Sequence, residues 1–187
     1  IIDYIQMLIK WNRTFNLTSI VDEKTIVHKH IADTLLILPH LVGNSLIDIG
    51  TGAGIPGLIL AIAKPELNVT LIDKSAKKCR FLRHASHQLG TNNVLVYASR
   101  SEEFAGHASY DIIISRAFSS INNMIHFTKH LCHKNSEIHL MKSELTQKEI
   151  SEIPDDFEIN ATIKLPNFES IPELQLRHLV KIKKKSS

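Results

Sequence analysis

The sequence predicts an α/β fold: a mostly parallel seven-stranded sheet with helices on both faces and an N-terminal helical cap. Three observations carry this. Short apolar runs at 46–49, 69–72, 94–97, 111–115 and 136–141 alternate with helical patterns at 56–63, 76–89 and 120–132. Such alternation means βαβ units, a parallel sheet and helices on both its faces. "VTLIDKS" and "YDIIIS" are β-branched runs of the kind found in strands buried on both sides. The tail breaks the alternation: "FEINATIKLP", "FESIPE" and "RHLVKIKKK" read as two strands and a loop, an edge hairpin.

Ahead of the sheet, residues 1 to about 38 read as two helices. Ile1, Ile5, Leu8, Ile9 and Trp11 form one apolar face, and Ile26, Val27, Ile31, Leu35 and Leu38 a second. Asp22 is the expected N-cap of the second helix, and Pro39 and Gly43 close the region. Without a repeat or a low-complexity linker, the expectation is one domain over 1–187, with a cap at 1–40 and an α/β core at 41–187.

The chain of 187 residues is long enough for a substantial core, and its 43% hydrophobic and 22% charged content is ordinary for a globular protein. A net charge of +3, with eleven histidines besides, permits a polyanionic partner without requiring one. Cys79 and Cys132 form no C-x-x-C pair, which argues against a zinc site or a disulfide framework. No apolar run reaches transmembrane length, and the expected setting is reducing and cytoplasmic. The first residue is Ile1 rather than methionine, so a few residues are expected ahead of it.

The densest chemical signal is "LIDIGTGAGIPG", residues 46–57. A strand, a glycine turn and a helix opening on Pro56 form the usual setting of a nucleotide at a helix N-terminus. From Gly52 the segment fits the dinucleotide fingerprint G-x-G-x-x-G; from Asp48 it suits S-adenosyl-L-methionine equally well. Asp73 ends the next strand, where an acid accepts hydrogen bonds from both ribose hydroxyls of either cofactor. Asp48 would repel a pyrophosphate and tolerate a sulfonium, and the chain has no second half to hold a nicotinamide. These points favour a methyltransferase over an NAD-linked oxidoreductase, which stays open as the enzyme rival. A non-catalytic RNA-binding protein on the same fold is the rival from another class.

"WNRTFNLTS", "HIADTLLILPHL", "LIDIGTGAGIPGLILA", "RSEEF", "ISRAF" and "RHLVKIKK" follow in this order along the chain. Together they resemble the bacterial small-subunit ribosomal RNA methyltransferase G family, also called the glucose-inhibited division protein B family. The resemblance implies a Rossmann-like class I methyltransferase fold, S-adenosyl-L-methionine as cofactor, and methyl transfer to guanine N7 at nucleotide 527 of 16S rRNA. It implies 16S rRNA or the 30S subunit as partner, and a monomer is expected.

Carried onto this chain, the family's cofactor positions fall on Gly50, Ile55, Ser101, Glu102 and Arg116. Gly52 belongs to the same loop, and Asp73 joins them on the ribose argument. Arg116 ends the fourth strand, at the ligand-bearing edge of an open sheet. It is expected to meet the methionine carboxylate or the target nucleotide, with a surface ion pair as the alternative. Two departures stand out. The loop's usual proline is Ala53, and the usual Lys-Gly after the fifth strand is Lys142-Ser143, which leaves Lys142 available as an RNA contact. Asn16, in a cap loop that could cover the cofactor, is a weaker substrate-binding candidate.

Other features are weaker. His126, His130 and His133 would share one helix face, a spacing open to metal, but no acid stands nearby in sequence and no metal is expected. His28 and His30 would point to opposite sides of a helix, and the resemblance places His30 and Asp33 in a shared cap motif. Lys181 and Lys183 to Lys185 are either phosphate contacts or a solvated tail.

Overall fold

The cap forms as its apolar spacing requires. Helix α1 (Ile2–Phe15) buries Tyr4, Ile5 and Leu8, and ends at Asn16, whose left-handed conformation (φ 49°) lets its N–H bond the carbonyl of Asn12. The Asp22 carboxylate caps α2 (Glu23–Ile26) by accepting from the Thr25 N–H at 2.7 Å. The helix continues through a π-helical segment, Val27–Ala32, into α3 (Asp33–Leu35), and a 3-10 turn follows at Leu38–His40. The computed structural model describes residues 1–105, 109–116, 118, 120–166 and 177–185.

The sheet strands are β1 (Ser45–Ile49), β2 (Asn68–Asp73), β3 (Val94–Ala98), β4 (Tyr110–Ser115), β5 (Cys132–Lys142), β6 (Phe157–Lys164) and β7 (His178–Lys184). Among the described residues they form one sheet in the order β3-β2-β1-β4-β5-β7-β6. Pairings from β3 through β5 are parallel; β7 runs antiparallel to both β5 and β6. The expected edge hairpin is thus present, with its second strand inserted inside its first. The "FESIPE" loop lies outside the described residues.

Helices α4 (Gly57–Ala63) and α5 (Ala76–Leu89) join the cap on one face of the sheet, where Tyr4, Leu8, Ile26, Leu46, Leu58 and Phe81 share one core. Helix α6 (Ile121–Thr128) covers the other face through Ile121, Met124 and Ile125 against Ile47, Ile113 and Val180. The chain winds outward from β1 to β3 and then restarts at β4 beside β1. That reversal opens a crevice at the carboxyl edge, the customary ligand position of an open α/β sheet.

Three expectations are corrected. The pattern over 120–132 reads as one helix, yet α6 stops at Thr128, a 3-10 turn spans Lys129–Leu131, and β5 begins at Cys132, which pairs with Tyr110. Thr128 bonds back to the Met124 carbonyl at 2.6 Å, a local alternative to continuing the helix, and the pairing with β4 takes the chain onward. The sequence pattern assigns no element to 147–151, yet the short helix α7 (Gln147–Ser151) forms there, opened by a Thr146–Glu149 capping box. Lys181 is neither a phosphate contact nor a solvated tail residue. It is 8% exposed within β7, its ammonium 2.7 Å from the His40 carbonyl and 3.1 Å from Glu137.

Candidate cofactor site

The glycine loop is held from behind. Asp48 is fully buried, and its Oδ2 accepts from the Thr51 hydroxyl at 2.6 Å and the Gly57 N–H at 2.8 Å. A side chain at Gly57 would place Cβ 2.4 Å from Leu71 and 2.8 Å from Asp48, so helix, strand and carboxylate meet there only because the residue is glycine. From the cap, the Tyr4 hydroxyl donates to the Ala53 carbonyl at 2.8 Å. Burial pushes the Asp48 carboxyl up to about 6, against the Thr51 and Gly57 hydrogen bonds that hold it down.

This corrects one step of the sequence argument. Asp48 does not offer its charge to a ligand in front of the loop. It lies on the cap-facing side of β1 and organises the turn, while its Oδ1 is buried without a hydrogen-bond partner among the described residues. The expected helix start also shifts by one residue, because Pro56 is the N-cap and α4 begins at Gly57.

In front of the loop stands Asp73, at the carboxyl end of β2. Its Oδ2 accepts from the Gly52 N–H at 3.0 Å and its Oδ1 from the Ser75 N–H at 2.8 Å, with the Lys78 ammonium 3.8 Å away. Each oxygen keeps acceptor capacity beyond these bonds. A cavity of about 420 Å³ opens here, and Gly50, Asp73, Ser101 and Glu102 all line it. Its apolar wall is Ile49 and Ile72 with Phe118 and Phe127, whose rings stack at a 6.1 Å centroid distance. Lys74, Lys78, Ser99 and Arg100 complete the lining. The Ser101 hydroxyl donates to Glu102 at 3.0 Å.

Sequence reasoning therefore placed four residues in one cavity, and Gly52 adjoins it through Asp73. Ile55 follows on the loop but packs its side chain against the cap-side core. Sequence reasoning missed Lys74, Lys78, Ser99, Arg100, Phe118 and Phe127. Arg100 and Phe118 stood within the quoted "RSEEF" and "ISRAF" stretches, and Lys78 lies just beyond Asp73.

The other candidates lie elsewhere. Arg116 Nη2 is 3.3 Å from the Lys29 carbonyl and 3.4 Å from Asp33, turning the side chain to the cap. Arg177 reaches the other oxygen of the same carboxylate at 2.6 Å. Burial lowers the His30 imidazole to about 4, and Arg116 pushes the same way. Ala117 of "ISRAF" lies outside the described residues. Asn16 lines a separate cavity of about 440 Å³ within the cap. Lys142 is held by the Glu149 carboxylate of α7. The three histidines do not share a helix face: His126 is on α6, His130 in the 3-10 turn, and His133 in β5 at 3.1 Å from Asp111. Among the described residues no group of three or more potential ligands could hold a metal. No described helix is long and apolar enough to cross a membrane.

The residues present fit S-adenosylmethionine. Asp73 retains lone pairs for ribose hydroxyls, the apolar wall suits an adenine, and the cavity has the volume of a small-molecule site. Solved structures share the fold. The mitomycin 7-O-methyltransferase MmcR superposes with a TM-score of 0.67 at 9% identity, over 83% of this chain and 54% of that one. An MtNAS variant in complex with S-adenosylmethionine gives 0.67 at 13% identity, over 99% and 72%. These likenesses concern the fold alone.

Sequence relatives go further. A protein named ribosomal RNA small subunit methyltransferase G from Alteromonas mediterranea is 43% identical over 186 residues, 99% of this chain and 86% of that protein. The one from Escherichia coli is 39% identical over 184 residues, 98% and 87%. The family model described as rRNA small subunit methyltransferase G matches residues 1–181. That match runs from the cap into strand β7, through every residue that lines the candidate cavity, and the chain belongs to the rRNA small subunit methyltransferase G family.

Proposed function

We propose that this protein transfers a methyl group from S-adenosylmethionine to guanine N7 at nucleotide 527 of 16S rRNA. The observation that carries the reading is the cavity joining Gly50, Asp73, Ser101 and Glu102 in a chain of this family. When bound, the cofactor supplies an electrophilic methyl on a sulfonium. Guanine N7 has a lone pair and no proton, so the protein needs no general base at the attacking atom. Its work is to hold the base in line and to offset the positive charge growing on the purine.

In this reading Asp73 takes the ribose, the Gly50–Gly52 backbone faces the methionine portion, and Ser101 and Glu102 meet the adenine edge. Arg116 stands at the carboxyl end of β4, anchored by Asp33 and the Lys29 carbonyl, with donors to spare for the methionine carboxylate or the target nucleotide. Residues 1–187 act as one domain of a cytoplasmic monomer, on small-subunit RNA free or within the 30S particle.

The test is methyl transfer from labelled cofactor to deproteinised and to protein-bound small-subunit RNA, with the product base mapped. Label at a single guanine N7 supports the reading; label elsewhere moves the target. Binding of S-adenosylhomocysteine with no transfer to either RNA would leave the non-catalytic RNA-binding alternative. Thermal stabilisation by NADH and not by S-adenosylhomocysteine would sink the reading altogether.

A further inference from the structure

Helix α5 is basic and carries no acid. Over Ala76–Leu89 it bears Lys77, Lys78, Arg80 and Arg83, besides His84 and His87, and not one Asp or Glu. Four formal positive charges on one helix exceed the +3 of the whole chain. Lys77, Arg80, His84 and His87 recur every three to four residues, so they share one face, and all four are exposed. The opposite face buries Phe81, Leu82 and Ala85 in the cap-side core, and Cys79 beside the Asp73 and Tyr97 carbonyls.

Stability does not explain the exposed face. Among the described residues neither Lys77 nor Arg80 has a carboxylate within ion-pair distance. Like charges one turn apart repel, a small cost that nothing on the helix offsets. Two neighbours are held in place. The His84 ring lies 5.1 Å from Trp11 of α1, and Arg83 donates to the Val96 carbonyl at 3.0 Å. Position matters as much as charge. Helix α5 starts where β2 delivers Asp73, and Lys74 and Lys78 line the cofactor cavity at that end. The basic face thus leads away from the mouth of the cavity for about 15 Å, at 1.5 Å per residue.

We propose that the phosphate backbone of the substrate rRNA docks along the exposed face of α5, with Lys77 and Arg80 as its central contacts. This rests on the methyltransferase reading and adds to it the surface that sets the register of the RNA. Phosphate contacts carry no base information but fix position and orientation, which an in-line transfer requires. A strand laid on this face is led to the cavity lip at Lys74 and Lys78, where one base can turn in towards the methyl donor.

The experiment compares the full chain with its Lys77→Glu/Arg80→Glu variant, using deproteinised small-subunit rRNA as probe. Lys134→Glu, at an exposed lysine on the far, amino edge of the sheet, is the remote charge-reversal control, shifting net charge by about two units where the double variant shifts it by about four. The double reversal is expected to weaken RNA binding at least tenfold near 0.1 M salt. It should also flatten the plot of log affinity against log salt by about 1.5, for two lost phosphate contacts. S-adenosylhomocysteine affinity by calorimetry should stay as in the parent, which shows an intact pocket and fold, and Lys134→Glu should change neither quantity. Unchanged RNA affinity in the double variant, or an equal loss in Lys134→Glu, overturns the proposal. So does a stronger effect of the double variant on binding to phosphatidylserine vesicles than on RNA. If the parent transfers no methyl to rRNA, the functional reading fails instead, and the binding comparison still decides the docking surface.

Discussion

The hydroxyl of Tyr4, in the first turn of α1, donates a 2.8 Å hydrogen bond to the carbonyl of Ala53, in the glycine loop. They stand 49 positions apart in the chain, and both are buried. Through this bond the cap helps to set the shape of the loop. Tyr4→Phe removes the donor, keeps the ring, and leaves the Ala53 carbonyl short of a partner. The expected cost is about 1–3 kcal/mol of stability, with weaker S-adenosylhomocysteine binding alongside. Urea denaturation and calorimetry measure the two effects. A variant that lost stability and kept full affinity would show that the loop does not depend on the cap.

Asp73 is the hinge of the cofactor reading, and its test is direct. Asp73→Ala deletes the acceptor of the Gly52 and Ser75 N–H groups and the proposed ribose contacts together. Charge-assisted hydrogen bonds of this kind are worth about 1.5–3 kcal/mol, so affinity for S-adenosylhomocysteine should fall about 10- to 150-fold. Unchanged affinity in calorimetry removes Asp73 from the site.

The sequence revealed most where local pattern decides structure. Runs such as 69–72 and 111–115 became β2 and β4 because unbroken β-branched stretches suit strands buried on both faces. The glycine loop and Asp73 were legible because a strand–turn–helix unit fixes its own geometry. What stayed hidden depends on partners distant in sequence. Arg116 turns towards Asp33, 83 positions earlier, and no local pattern encodes that. Lys181 reads as tail until β7 is seen inserted between β5 and β6 with Glu137 beside it. Asp48 is legible as part of the loop, but its direction is not, because the side of β1 it faces depends on where the cap packs.

The buried Asp48 carboxyl makes stability fall as pH rises. Its folded value, about 6, lies above the ordinary 3.8, so the folded chain holds a proton that the unfolded chain releases. The contribution is full below about pH 4 and is lost as pH climbs through 6, with an upper bound of about 3 kcal/mol. Asp48→Asn keeps an oxygen for Thr51 and Gly57 and removes the titration. Relative to the parent, the variant should therefore gain stability between about pH 4 and about pH 7.5. Parallel stability–pH curves in urea titrations would count against a raised carboxyl.

Asp33 stands between two guanidiniums that it holds unequally. Arg177 is 12% exposed and 2.6 Å away, while Arg116 is 29% exposed and 3.4 Å away. Coulomb attraction grows as distance and local dielectric fall, so the Arg177 pair should dominate. Double-mutant cycles separate the two. Asp33→Asn with Arg177→Gln should show a coupling of about 1–3 kcal/mol, whereas Asp33→Asn with Arg116→Gln should stay within about 1 kcal/mol. Weak coupling would leave Arg116 free to exchange Asp33 for an incoming anion at little cost, as its proposed role beside the cofactor demands. The reverse ranking in the two cycles would make Arg116 a structural strut between cap and sheet and would argue against that role.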